Sequence, residues 1–75
     1  MDNDNVKILR DNEGKRVVID TKYGEHLIAN IHWVSDEDED VTYELVSSNE
    51  PSFRQGSLYA LPLKDIISVT PLQAE

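Results

Sequence analysis

Two short apolar runs, Leu58-Tyr-Ala-Leu61 and Ile66-Ile-Ser-Val-Thr70, stand close together near the C-terminal end of the chain. Pro62 and the pair Lys64-Asp65 interrupt what would otherwise be one run. Proline cannot donate to a β-ladder and is confined to strand ends and edges. The segment therefore reads as a strand, one tight turn and a second strand. That pattern closes a small, strongly bent β-barrel, and it limits the fold more than any other stretch does.

Length sets the scale of that barrel. Seventy-five residues allow one domain, read here as residues 1–75, with 1–5 and 73–75 as disordered tails. A chain this small buries only about 60% of its extended surface, and such a core rarely yields more than ~3–5 kcal/mol of net stability. There is no cysteine, so neither a disulfide nor a thiolate metal site serves as a staple. No apolar stretch approaches the ~20 residues that span a bilayer. The start, Met1-Asp-Asn-Asp-Asn5, has neither the basic nor the apolar region of a signal peptide. The expectation is a soluble cytoplasmic protein with no membrane partner.

Seven Lys+Arg against fifteen Asp+Glu give a net charge of −8 at pH 7. Such a surface repels phosphate backbones and anionic membranes, and it attracts basic protein surfaces.

Several further strands precede the closing pair. Val6-Lys-Ile-Leu-Arg10 is short and apolar, and it fits either a strand paired with residues 15–21 or one turn of helix over a barrel mouth. Lys15-Arg-Val-Val-Ile-Asp-Thr21 is a β-branched strand, and Gly24 suits the left-handed position of the next hairpin. The longest strand runs from Glu25 to Val34. Alternation puts Leu27, Ala29, Ile31 and Trp33 on one face, and His26, Ile28, Asn30, His32 and Val34 on the other. Residues 36–40 are five consecutive acids and read as an exposed loop. Val41-Thr-Tyr-Glu-Leu-Val46 alternates again, and 47–56 has loop composition with Phe53 as its one apolar residue. No window reads as a good amphipathic helix. The fold class is all-β: a five- to six-stranded small barrel with a short turn before the last strand.

The pattern from Val17 to Val69 resembles the Sm-like and SH3-like small β-barrels. Val17-Val-Ile-Asp-Thr-Lys-Tyr-Gly-Glu-His-Leu27 looks like their strand–turn–strand opening, Leu27–Val34 like their long bent central strand, and Leu61-Pro-Leu-Lys-Asp-Ile-Ile-Ser-Val-Thr70 like their final strands. Tyr23-Gly-Glu-His-Leu27 and Leu61-Pro-Leu-Lys-Asp-Ile-Ile-Ser68 also resemble the Rho-binding antiterminators, small acidic Sm-like proteins that bind the terminator Rho and block its RNA site. The RNA-binding signature of Sm proteins is departed from. Where an Asp–Asn pair and an Arg-Gly dipeptide are expected, this chain has Asp36-Glu-Asp-Glu-Asp40 and Leu61-Pro62.

No constellation of catalytic residues stands out. His26 and His32 lie about 20 Å apart along one strand, too far to share a metal, and the sequence assigns neither a carboxylate partner. The serines have no nucleophile-elbow context and the glycines form no phosphate loop. The acid run lacks the glycine of an EF-hand loop. No enzyme activity and no cofactor are expected. Trp33, Tyr43 and Tyr59 either fill and brace the barrel or, in part, form a contact patch, while Phe53 either tucks onto the barrel or meets a partner. Arg10, Lys15, Arg16 and Lys22 flank the first strand and can converge near one barrel end, too few for tight RNA binding.

The functional expectation is a non-catalytic adaptor or regulator that binds a protein with a basic surface. Asp36, Glu37, Asp38, Glu39 and Asp40 would steer the partner, with Trp33, Tyr43 and Phe53 supplying apolar contact. The alternative is an Sm-like RNA-binding protein that forms rings through edge strands such as 66–70.

Overall fold

The computed structural model describes residues 3–52 and 54–72, with the backbone alone at Asn3. A short helix, α1 (Asn3–Asp11), precedes five strands: β1 (Arg16–Thr21), β2 (His26–Ser35), β3 (Asp40–Ser48), β4 (Leu58–Pro62) and β5 (Ile66–Pro71). A single 3-10 turn, Leu63–Asp65, separates β4 from β5. Phe53 and residues 73–75 lie outside the described residues.

Of the two readings of the N-terminal apolar segment the helix is the one observed, and it does not pair with residues 15–21. Both sides of β1 are already occupied, by β2 and by β5. Residues 3–5, expected in a tail, open the helix. Asp4 in its first turn and Arg10 in its last complement the helix dipole, and Lys7 and Asp11 pair at 3.6 Å one turn apart. Leu9 points fully into the core, with Val6 and Ile8 packed at its margin. Its apolar residues, Val6, Ile8 and Leu9, make a run too short to separate helix from strand by sequence. Its C-terminal end closes with Asn12 N–H donating to the Leu9 carbonyl at 3.2 Å, and Gly14, at φ +81°, turns the following loop toward β2.

The strands form one antiparallel sheet in the order β4-β3-β2-β1-β5. β4 and β5 are its edges, and no ladder joins them, so the sheet is not closed. The 3-10 turn nevertheless links these opposite edges through three residues. At about 2 Å of rise per residue the sheet must curl strongly at that end for the connection to span. Its inner face carries Val17, Ile19, Leu27, Ile31, Val41 and Leu45, all essentially without solvent contact, under Leu9 of the helix.

The curled end is held by a polar clip. The backbone N–H of Lys22 donates to the Asp65 carbonyl at 2.9 Å, and the Tyr23 hydroxyl donates to Asp65 Oδ2 at 3.2 Å. Asp65 is 6% exposed. Its Oδ1 has no donor in hydrogen-bond alignment, but Lys22 Nζ lies 3.1 Å away, and for a charge pair distance governs. The hydrogen bond and charge of Asp65 raise the Lys22 pKa above its ordinary 10.5. The clip fastens the β1–β2 turn to the turn before β5.

Candidate functional site

The long strand β2 does not alternate throughout. Ile31 pairs with Tyr43 and Trp33 pairs with Thr42, so His32 is an extra residue with no partner of its own. This β-bulge shifts the phase of everything after it. Leu27, Ala29 and Ile31 face the core as the pattern predicts, but Trp33 is 53% exposed and Val34 is buried. The expected sides of Trp33 and Val34 are therefore exchanged.

The bulge is held from outside the strand pair. Gly14 N–H donates to the Ile31 carbonyl at 2.7 Å, Ile31 N–H donates to the Lys15 carbonyl at 2.9 Å, and Val34 N–H donates to Glu13 Oε2 at 3.0 Å. The loop leaving α1 thus serves the backbone groups on either side of His32. Beside it lies an open groove of about 420 Å³, lined by Gly14, Asn30, Ile31, His32 and Glu44.

Cross-strand pairing shows what surrounds Trp33. Thr42 lies opposite Trp33 and opposite Ala60 on the far side of β3, while Glu44 lies between Asn30 and Leu58, and Asp40 between Ser35 and Pro62. These rows share the outer face of β2, β3 and β4. Leu58 is 57% exposed, and Ala60 and Pro62 are exposed as well. Trp33, Ala60, Leu58 and Pro62 therefore lie on one face, interleaved with Thr42, Asp40 and Glu44. The His32 ring stands edge-on to Trp33, with centroids 6.2 Å apart, and its Nε2 lies 3.9 Å from Glu44 Oε1.

The acid run sits at the end of this face. Asp36, Glu37, Asp38 and Glu39 form the exposed β2–β3 turn, and Asp40, expected in the loop, instead opens β3 and is half-buried. Asp38 N–H donates to Ser35 Oγ at 3.2 Å, and Leu63 N–H donates to the Glu39 carbonyl at 2.9 Å. Glu39 holds a φ of 54°, a left-handed conformation that disfavours a side chain. The Arg10 guanidinium pairs with Asp36. Among the described residues no lysine or arginine pairs with Glu37, Asp38, Glu39 or Asp40.

The other expected site residues fall elsewhere. Tyr43 is 2% exposed, inside the core, and stacks at a tilt on Tyr59 with centroids 5.9 Å apart. Burial pushes its phenol pKa up to about 12. The four cations flanking β1 do not converge: Arg10 meets Asp36, Lys22 meets Asp65, and Arg16 Nε donates to Asn30 Oδ1 at 3.3 Å.

Each histidine does have a carboxylate neighbour. His32 is near Glu44, and His26 Nδ1 lies 2.7 Å from Asp20 Oδ1. Ser68 Oγ donates to the second oxygen of Asp20 at 3.2 Å. Serine and imidazole thus share one carboxylate from opposite sides of β1, which is not the serine-to-imidazole contact of a Ser-His-Asp triad. Among the described residues no cluster of three or more His, Cys, Asp or Glu is placed to hold a metal ion. No helix among them is long and apolar enough to cross a membrane.

Sequence reasoning missed Leu58, Ala60 and Pro62 as neighbours of Trp33. Their joint position depends on pairing register, which no single strand encodes. No family model matches the chain, and no curated protein or solved structure does.

Proposed function

We propose that this protein is a non-catalytic adaptor or regulator that binds a protein with a basic surface through the outer face of β2, β3 and β4. One observation carries the reading. The His32 bulge turns the only tryptophan outward, onto a face that also exposes Leu58, Ala60 and Pro62 and is bordered by acids. An exposed aromatic among apolar neighbours is the usual anchor of a protein interface. The adjoining carboxylates steer a cationic partner and discriminate against acidic ones.

Glu39 supports the same reading. Glycine or asparagine would hold a left-handed turn position at lower cost. An acid there adds to the exposed negative charge at the end of this face.

The fold type belongs to this proposal too. A β1–turn–β2 opening at Gly24, a long irregular β2, and a 3-10 turn between the edge strands β4 and β5 suit a small barrel of Sm/SH3-like type, related to the Rho-binding antiterminators. Protein is favoured over RNA as the partner because the charge is −8 and Lys7, Arg10 and Lys22 already face internal carboxylates.

The test is affinity capture from native lysate, comparing the wild-type protein with the double variant Trp33→Ser/Leu58→Ser. The reading expects a basic partner that is recovered by the wild type, weakened by salt and lost with the double variant. A partner retained equally by both would overturn it. Titration with single-stranded RNA near physiological salt is expected to leave the amide resonances of this face unmoved.

A further inference from the structure

We propose that the partner segment seated on this face presents an arginine. Its guanidinium lies on the Trp33 indole and reaches the Glu44 carboxylate, while apolar neighbours of that arginine cover Ala60, Leu58 and Pro62. This rests on the docking reading above and adds what docks.

The spacing of the groups carries the first part. The His32 ring neighbours both other groups: it meets Trp33 edge-on at 68° with centroids 6.2 Å apart, and its Nε2 lies 3.9 Å from Glu44 Oε1. A guanidinium is a planar cation that stacks on an indole and donates in a fork to a carboxylate. To admit it, the exposed His32 ring would give up its place beside Glu44. A lysine ammonium has neither the plane nor the fork, so it meets the two groups with weaker and less directional contacts.

Charge complementarity carries the second part. Asp36 to Asp40 and Glu44 border the face; Arg10 is taken by Asp36, and Arg16, in the row of Glu44, donates to the Asn30 amide between them. A cation arriving from outside finds carboxylates not yet neutralised, beside an aromatic surface that strengthens its hold. The exposed Leu58, Ala60 and Pro62 lie on β4, one strand from Glu44 and two from Trp33, where strands lie about 4.8 Å apart. A purely cationic segment would leave them wet. A segment with apolar residues beside its arginine covers both.

The experiment uses the full chain and three capped peptides that alternate leucine with arginine, with lysine or with citrulline. Trp33 fluorescence and amide chemical shifts are the readouts. The arginine peptide is expected to move the Trp33 indole signal together with residues 58–62 and Glu44. The lysine peptide is expected to bind at least about fivefold more weakly, and the citrulline peptide not measurably. Glu44→Gln should weaken the arginine peptide about tenfold and leave the lysine peptide nearly unchanged. Its unaltered core shifts at Tyr43 would show that the fold is intact.

Equal binding of the arginine and lysine peptides at this face overturns the arginine inference and leaves the docking reading standing. Shifts confined to other residues, or no shifts with any peptide, also overturn it. The docking reading itself is decided by the capture comparison of wild type with Trp33→Ser/Leu58→Ser.

Discussion

The two flanks of the sheet are finished differently. On the β1–β5 side the helix α1 lies over the sheet. Leu9 enters the core, Asn5 Nδ2 donates to the Ile67 carbonyl at 3.0 Å on the edge strand, and the Lys22–Asp65–Tyr23 clip fastens the curled end. On the β2–β3–β4 side the exposed outer-face residues include a tryptophan and a leucine, and among the described residues no helix lies over them. Both flanks bury an inner face, and both leave large apolar side chains in water: Tyr23, Ile67 and Leu72 on the first, Trp33 and Leu58 on the second. What sets the second apart is that its exposed pair shares an outer face with Asp40 and Glu44, where a partner can reach apolar and acidic groups together. The His32 bulge serves inner and outer face alike, since it sends Val34 inward and Trp33 outward.

The largest expected effect therefore lies on the covered flank. Leu9 is 0% exposed, and truncating a buried leucine to alanine costs about 2–5 kcal/mol. A domain of this size has about that much net stability in total. Leu9→Ala is expected to be largely unfolded by circular dichroism at 25 °C. A cooperative melt within a few degrees of the wild type would show that the helix is dispensable and the comparison misdrawn.

Alkali should attack the same flank next. The Lys22 pKa is raised by its hydrogen bond to Asp65, so the folded state holds that proton more tightly than the unfolded chain does. The stability it contributes is complete below pH 10.5 and is lost as pH rises through the higher folded value. Tyr43, raised by burial to about 12 from an ordinary 10.0, acts in the same direction, and its contribution fades between those two values. Thermal midpoints should hold from pH 8 to pH 10 and then fall. Tyr43→Phe should flatten part of that fall, and Lys22→Met another part. A flat profile to pH 12 would mean that neither group is coupled to folding.

How far the sequence showed this arrangement differs between the flanks. The 3-10 turn, the β1–β2 hairpin at Gly24 and the strands of the inner face were legible, because proline, glycine and β-branched residues act locally. α1 was legible only as one of two readings, because its apolar residues, Val6, Ile8 and Leu9, form a run too short to tell from a strand. The exposure of Trp33 was not legible. Strict alternation from Leu27 sends it inward, and the residue that breaks the alternation, His32, has nothing in its own chemistry to announce a bulge. What fixes the bulge is Glu13, twenty-one residues upstream of Val34. A long-range side chain to backbone bond leaves no mark in a local pattern. The Trp33–Thr42–Ala60 row similarly needs two registers at once.

Glu13 therefore tests whether the bulge is built in. Its carboxylate satisfies the Val34 N–H at 3.0 Å, a partly buried bond. Glu13→Ala leaves that donor without its partner, at a cost of about 1–2 kcal/mol. The larger consequence should be local, with faster hydrogen exchange at Val34 and broadened signals for His32 and Trp33. The amides of β5 should stay protected. Uniform loss of protection across all five strands would mean that Glu13 supports the whole fold and not this phase shift.

The smallest effect on stability belongs to Trp33. A half-exposed side chain on an uncovered face supports little of the fold, so Trp33→Ser should move the denaturation free energy by no more than about 0.5 kcal/mol. In most small domains the loss of a lone tryptophan is far more costly, because the ring sits in the core. Trp33 is also the only tryptophan, so fluorescence reports on this face alone. The indole should emit as a solvated group, and its surroundings should show in how ions quench it. Carboxylates at Asp36 to Asp40 and at Glu44 concentrate cations near the ring and repel anions. Cesium should therefore quench more efficiently than its ordinary disadvantage against iodide on free tryptophan allows. The bias should shrink at 1 M salt, where screening acts within about 3 Å. A bias toward iodide would place Trp33 outside the acidic field and separate the two halves of the proposed face. A bias toward cesium that disappears in Glu44→Gln would instead assign the local field to that one carboxylate.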